Sequence, residues 1–215
     1  MTIDTLDSLL EEQLKDLYDA EKQLTKALPK MAKAAKDPEL KTAFTDHLDQ
    51  TKGQVSRIEH VFELLGKKAK SKLCAAMKGL VEEGKESIEE DASDEMRDCM
   101  LIASAQRAEH YEIAAYGTVR TIAETLGNQE VADLLQQTLE EEVQTDAKLS
   151  EISRRILNAS NDDGEVEDEE EDEDELEDDE EGDEEDEEED DEDEMPKPAP
   201  ATKKAPAPAK RKRKL

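Results

Sequence analysis

Residues 108–116 read AEHYEIAAY. The side that its two glutamates take decides the fold. On a solvent face, Glu109 and Glu112 would be ordinary surface charge. The surrounding positions, however, recur three and four apart as Ile102, Ala105, Glu109, Glu112, Tyr116, Val119, Ala123 and Leu126. Both carboxylates therefore fall on the apolar stripe that an amphipathic helix turns toward its core.

The same interruption recurs along the chain. A first helix is expected from about Thr5 to Lys36, with the face Leu10, Leu14, Leu17, Glu21, Leu24, Leu28, Met31, Ala35 and a bend or break at Pro29. KDPEL makes a turn, since Pro38 disfavours helix at Asp37. A second helix is expected from about Pro38 to Leu65, stopped by Gly66. Its face reads Leu40, Phe44, His47/Leu48, Thr51, Gln54/Val55, Ile58, Phe62, Leu65, with Gln50 at its margin. Residues 67–93 form a connector in which LCAAMKGLVEEG reads as a short helix. A third long helix is expected from about Ser93 to Leu126, capped by Ser93, and LGNQ is the turn that follows it. A fourth is expected from about Glu130 to Leu157, with the face Val131, Leu135, Thr138, Glu142, Thr145/Asp146, Leu149, Ile152, Ile156.

Four long helices, each with a carboxylate or amide near its middle, are joined by two short turns and one long connector. That pattern predicts an all-α, ferritin-like four-helix bundle with one long crossover. Partners in a hairpin meet where they lie equally far from its turn. Glu21 and Gln54 lie about 16 and 17 residues from the first turn, and Glu112 and Glu142 each about 15 from the second, level to within one helical turn. Glu109 and Asp146 form a further level pair. Buried carboxylates without compensation cost several kcal/mol each, about 3 to 5 when a partner is missing. Nearly no Lys or Arg lies on these faces, so the acids must be protonated, hydrated or bound to a cation. Hard oxygen ligands with few nitrogens suit iron or manganese. The di-metal pattern of Glu-x-x-His on two helices is missing: the fourth helix offers Glu142-x-x-Thr145, the second His47-x-x-Gln50. His47 reads as a helix-face or core residue rather than a ligand, and His60 and His110 lie off the centre. Tyr18 and Tyr116 read as core residues with satisfied hydroxyls.

Composition fits one such domain. The chain has 215 residues and a net charge of −32, but residues 162–194 hold 29 Asp/Glu and no Lys/Arg, and residues 195–215 hold eight Lys/Arg and no acid. The reading is a bundle over 1–161, an acidic disordered tail over 162–194 and a Pro/Ala/Lys-rich basic segment over 195–215. The acidic run reads first as a solubilising segment, with loose binding of cations or basic partners as the alternative. The basic end lacks aromatic residues for base stacking and follows an acidic block, which argues against nucleic-acid binding. No signal peptide or membrane span is expected. The two cysteines, Cys74 and Cys99, are too few for a disulfide framework, so a reducing, cytoplasmic setting is expected.

Five stretches together carry a family resemblance over about residues 3–157: DLYDAEKQLTKALPKMAKAA, LKTAFTDHLDQTKGQVSRIEHVFELLG, CAAMKGL, AQRAEHYEIAAYGT and TLEEEVQTDAKL. The chain resembles the YciF/YciE-type ferritin-like family of bacterial stress-associated proteins. The resemblance implies a rubrerythrin-like bundle, a homodimer without cage formation, and a carboxylate metal centre made from Glu21, Gln50, Gln54, Glu109, Glu112, Glu142 and Asp146. In that centre Glu21, Glu112 and Glu142 would hold iron or manganese, with Glu109 and Asp146 secondary or bridging. Two functions are compatible: an oxidase or peroxidase acting through a di-metal site, and a non-enzymatic dimeric module with a degraded site whose tail contacts partners.

Overall fold

The computed structural model describes residues 3–162, with side chains through Ala159; the charged segments expected at 162–194 and 195–215 lie outside the described residues from 163 onward. Five helices follow in order: α1 (Leu6–Ala34), α2 (Pro38–Leu64), α3 (Ala75–Glu89), α4 (Asp94–Thr125) and α5 (Gln129–Asp162). Four long helices make the bundle. The hairpins α1–α2 and α4–α5 pack side by side, α2 against α5 and α1 against α4, while α3 lies across α1 and α4.

Local chemistry sets the ends. Thr5 caps α1 in a reciprocal box with Ser8. Asp37 caps α2 by accepting from the Glu39 and Leu40 amides at 3.0 and 2.9 Å, with Pro38 in the first turn. The Ser93 side chain accepts from the Met96 amide at the start of α4. Gly66 and Gly127, at φ 66° and 74°, close α2 and α4 in the left-handed region. Pro29 leaves α1 unbroken; it is exposed, so water can reach the carbonyl that loses its partner.

The connector holds more helix than its sequence suggested, since α3 continues to Glu89. The Cys74 thiol accepts from the Met77 amide at 3.4 Å to cap it, and the Cys74 amide donates to Asp19 Oδ2 of α1 at 3.0 Å. Tyr111 of α4 lies 3.1 Å from the same thiol and donates its hydroxyl to Asp16. The crossover is thereby fastened to both helices it covers.

The core comes in two apolar blocks. One gathers Leu24, Leu28, Phe44, Met77, Leu101 and Ile152 with their neighbours, and the other Leu14, Leu17, Phe62, Tyr116, Val119 and Leu135. On every long helix a buried polar residue falls between the two blocks: Glu21; His47, Thr51 and Gln54; Glu109 and Glu112; Thr138 and Glu142.

Candidate metal centre

That polar layer is the candidate site. Glu109 and Glu112 are three apart on α4, and His47 and Gln54 seven apart on α2, spacings that put each pair on one face of its helix. Relative exposures are 0% for Glu21, Glu112 and Glu142, 1% for Glu109 and 3% for His47. His47, Glu109, Glu112 and Glu142 each offer a ligand atom, and these atoms lie within 4.8 Å of one another. His47 Nε2 is 3.1 Å from Glu109 Oε1 and 3.9 Å from Glu142 Oε2.

Glu21 lies beside this group and accepts a hydrogen bond from the buried Tyr116 hydroxyl. Gln54 donates to Glu142 at 2.5 Å and to Glu141 at 3.0 Å. Glu141 is gripped by both terminal nitrogens of Arg57 at 2.9 Å, one of which also reaches Thr138 at 2.6 Å.

The electrostatics are those of crowded acids. Burial, then the charges of Glu21 and Glu109, hold Glu112 well above the usual carboxylate range. Burial, then Glu112 and Glu109, do the same for Glu142. Burial raises Glu21 to about 8 although Tyr116 opposes it. At His47, burial favours the neutral ring, but Glu109, Gln50 and Glu21 outweigh it and leave the imidazole above its ordinary value. Among the described residues nine buried side-chain polar atoms have no hydrogen-bond partner, and seven belong to Glu21, His47, Gln54, Glu109, Glu112 and Glu142. Such atoms are rare in folded proteins and each asks for a reason. Oxygen-rich donors with one imidazole, unpaired and aimed at a common space, fit a hard divalent cation.

The sequence-read positions divide. Glu21, Gln54, Glu109, Glu112 and Glu142 come together in the buried layer. Gln50 does not: it is exposed, its Oε1 3.4 Å from His47 Nδ1 on the outer side. On α2, Gln50 is turned about 60° from His47, whereas Gln54 returns to within about 20° of it. Asp146 sits half-buried at the margin, 2.9 Å from Gln106 Nε2 and 3.4 Å from the exposed His110. It is one turn beyond Glu142 and rotated about 40°. Its expected level partner, Glu109, faces His47 instead. His60 is exposed beside Glu63. His47, read as a face or core residue and not as a ligand, stands inside the layer among the carboxylates; its seven-residue spacing from Gln54 was the available signal. Arg57 and Glu141 were missed because each lies one step off the stripe. A surface cleft of about 400 Å³ between α2 and α5, lined by Glu39, Asp46, His47, Gln50 and Thr145, leads inward to the imidazole.

A four-helix bundle with one helical crossover and a carboxylate–histidine layer at mid-height defines the ferritin-like class. Within that class the chain belongs to the family described as a domain of unknown function, DUF892, whose profile matches residues 5–161. It is 47% identical over 159 residues to Protein YciF of Escherichia coli (strain K12), covering 74% of this chain and 96% of that protein. The crystal structure of the E. coli stress protein YciF matches at a TM-score of 0.71, covering 73% of this chain and 99% of that one. The structure of YcfI from Rhodopseudomonas palustris, 41% identical, matches at 0.67 over 69% of this chain and 94% of that one. A Xanthomonas campestris protein, 23% identical, shares the fold at 0.59, covering 75% of this chain and 100% of its own.

Proposed function

We propose that the buried layer is a metal centre and that the protein serves a stress-linked role as an iron- or manganese-binding bundle. The observation that carries this reading is the set of four ligand groups, all buried, whose ligand atoms lie within 4.8 Å of one another. His47, Glu109, Glu112 and Glu142 would hold one ion, and Glu21, sharing Glu112 as neighbour, would border a second position. Bound iron or manganese supplies one-electron redox chemistry, suited to oxidising Fe(II) or reducing peroxide. The chain's own groups do the rest. Glu112 and Glu142 release protons as a cation enters, Gln54 orients Glu142, and Arg57 holds Glu141 so that it does not compete for the ion. The α2–α5 cleft gives hydrated cations a polar route to His47.

The test is metal content after anaerobic Fe(II) loading and desalting, on a chain ended at residue 161 so that the acidic segment does not hold iron itself. One or two ions per chain, lost in Glu112→Ala and Glu142→Ala, are expected. Glu21→Ala is expected to cost the second ion only. Retained metal then justifies oxidase and peroxidase assays.

Gln54 and Thr145, neutral where a di-metal bundle places Glu or His, favour a second reading: a non-enzymatic, homodimeric module whose charged tail makes cation or basic-partner contacts. No retained Fe(II) or Mn(II) in any variant would select it. Sedimentation of the full chain tests the dimer.

A further inference from the structure

A cavity of about 260 Å³ lies between α1, α3 and α4. It opens to solvent on one side. It exists because the facing positions are small: Ala27 on α1, Gly84 on α3, and Ser104, Ala105 and Ala108 on α4. Leu24, Leu28 and Met31 form one wall, and Leu80, Val81 and Ile88 of the crossover helix form the roof. The two ends differ in charge. Exposed Lys26, Lys30 and Lys85 stand at the rim, with Lys85 paired to Glu82 at 2.9 Å. At the inner end lies Glu109, 1% exposed, with Oε2 unpartnered.

We propose that this cavity binds a medium-chain monocarboxylate, its head on the rim lysines and its apolar chain running inward to Glu109. The walls select hydrocarbon. The lysines select an anion, and the carboxylates behind Glu109 exclude an anionic head from the inner end, which fixes the orientation. The roof from Leu80 to Ile88 is roughly 12 Å long at 1.5 Å per residue, so the space is elongated. A void of roughly 150 Å³ already takes benzene; this one holds more than a single ring. That the inner end of the ligand abuts a metal rests on the proposed centre; the binding itself does not.

The experiment is calorimetric titration of the metal-free, full-length chain with decanoate, decanol and decyltrimethylammonium, each below its micelle concentration. One decanoate per chain is expected. The surface double variant Lys26→Glu/Lys30→Glu is expected to weaken decanoate at least tenfold and leave decanol unchanged. Gly84→Leu, whose Cβ has open room 3.9 Å from Ser104 Cβ, is expected to fill the cavity and abolish both, with helix content intact by circular dichroism. Glu112→Ala, which tests the metal centre, is expected to bind decanoate as the parent does. No decanoate binding by the parent, binding untouched by Gly84→Leu, or tighter binding of the cationic amphiphile would overturn the proposal.

Discussion

His47 shows what a single side chain decides here. Its ring is 3% exposed, and its Nε2 lies among Glu109 and Glu142 with no aligned hydrogen-bond partner. Three residues on, Gln50 is exposed. If the layer binds metal, the two positions must respond differently. Outer groups that merely support a ligand are worth about tenfold or more in affinity. His47→Ala is therefore expected to weaken Mn(II) binding by more than about a hundredfold, and Gln50→Ala, which meets the ring only from outside at Nδ1, by no more than about tenfold, on the same scale. Competition titration against a chelating dye reads both. Equal losses would mean that Gln50 moves inward on binding and that the ligand set drawn from the metal-free arrangement is incomplete.

Between elements, the turn joining α1 to α2 is held from across the bundle. Asp98 of α4, 2% exposed, accepts from the Lys36 and Asp37 amides at 2.8 and 2.7 Å. Arg155 of α5 reaches Asp37 at 2.8 Å in the same region. Hydrogen bonds to a charged group contribute about 1.5 to 3 kcal/mol, and orphaned buried amides add cost. Asp98→Ala is expected to destabilise the fold by about 3 kcal/mol, seen as a lower urea midpoint at unchanged slope. The helices and the two hairpins were legible in the sequence because periodicity and Gly/Pro punctuation are local. Asp98 was not, since an acid one turn into a helix that already opens with Asp94 and Glu95 reads as one more surface charge. The site divides in the same way. Glu21, Glu109, Glu112 and Glu142 break an apolar stripe and announce themselves. His47 shares its position in the stripe with Leu48, and only the packing of α2 against α5 chooses between them. The length of α3 was hidden because Gly84 and the charged run after it look like a helix end; the fold instead carries α3 on past a buried Gly84 that faces Ser104.

For the whole molecule, the buried layer sets an unusual pH dependence. Glu21 is raised to about 8, and Glu112, Glu142 and His47 are raised as well, the glutamates by burial first. A group whose folded pKa exceeds its unfolded value binds more protons when folded. Its stabilising contribution is complete below the unfolded value, near 4.5 for Glu, and is lost as pH rises through the folded value. The metal-free protein is thus expected to lose stability steadily between about pH 5 and 8, the reverse of ordinary acid denaturation. Surface acids held low by cations, such as Asp37 beside Arg155 and Glu39 beside Lys148, act in the opposite sense only below about pH 4.5, outside that window. A divalent cation replaces the protons, so Mn(II) should raise the melting temperature far more at pH 8 than at pH 5.5. Comparison with Glu112→Gln removes contributions from the charged tail, which both chains carry. That variant is expected to show a flatter pH slope without metal, higher stability at pH 8 and little response to Mn(II). A parent and variant with parallel pH profiles would mean that the layer is already neutralised by other means, and the cation would lose its thermodynamic reason to bind.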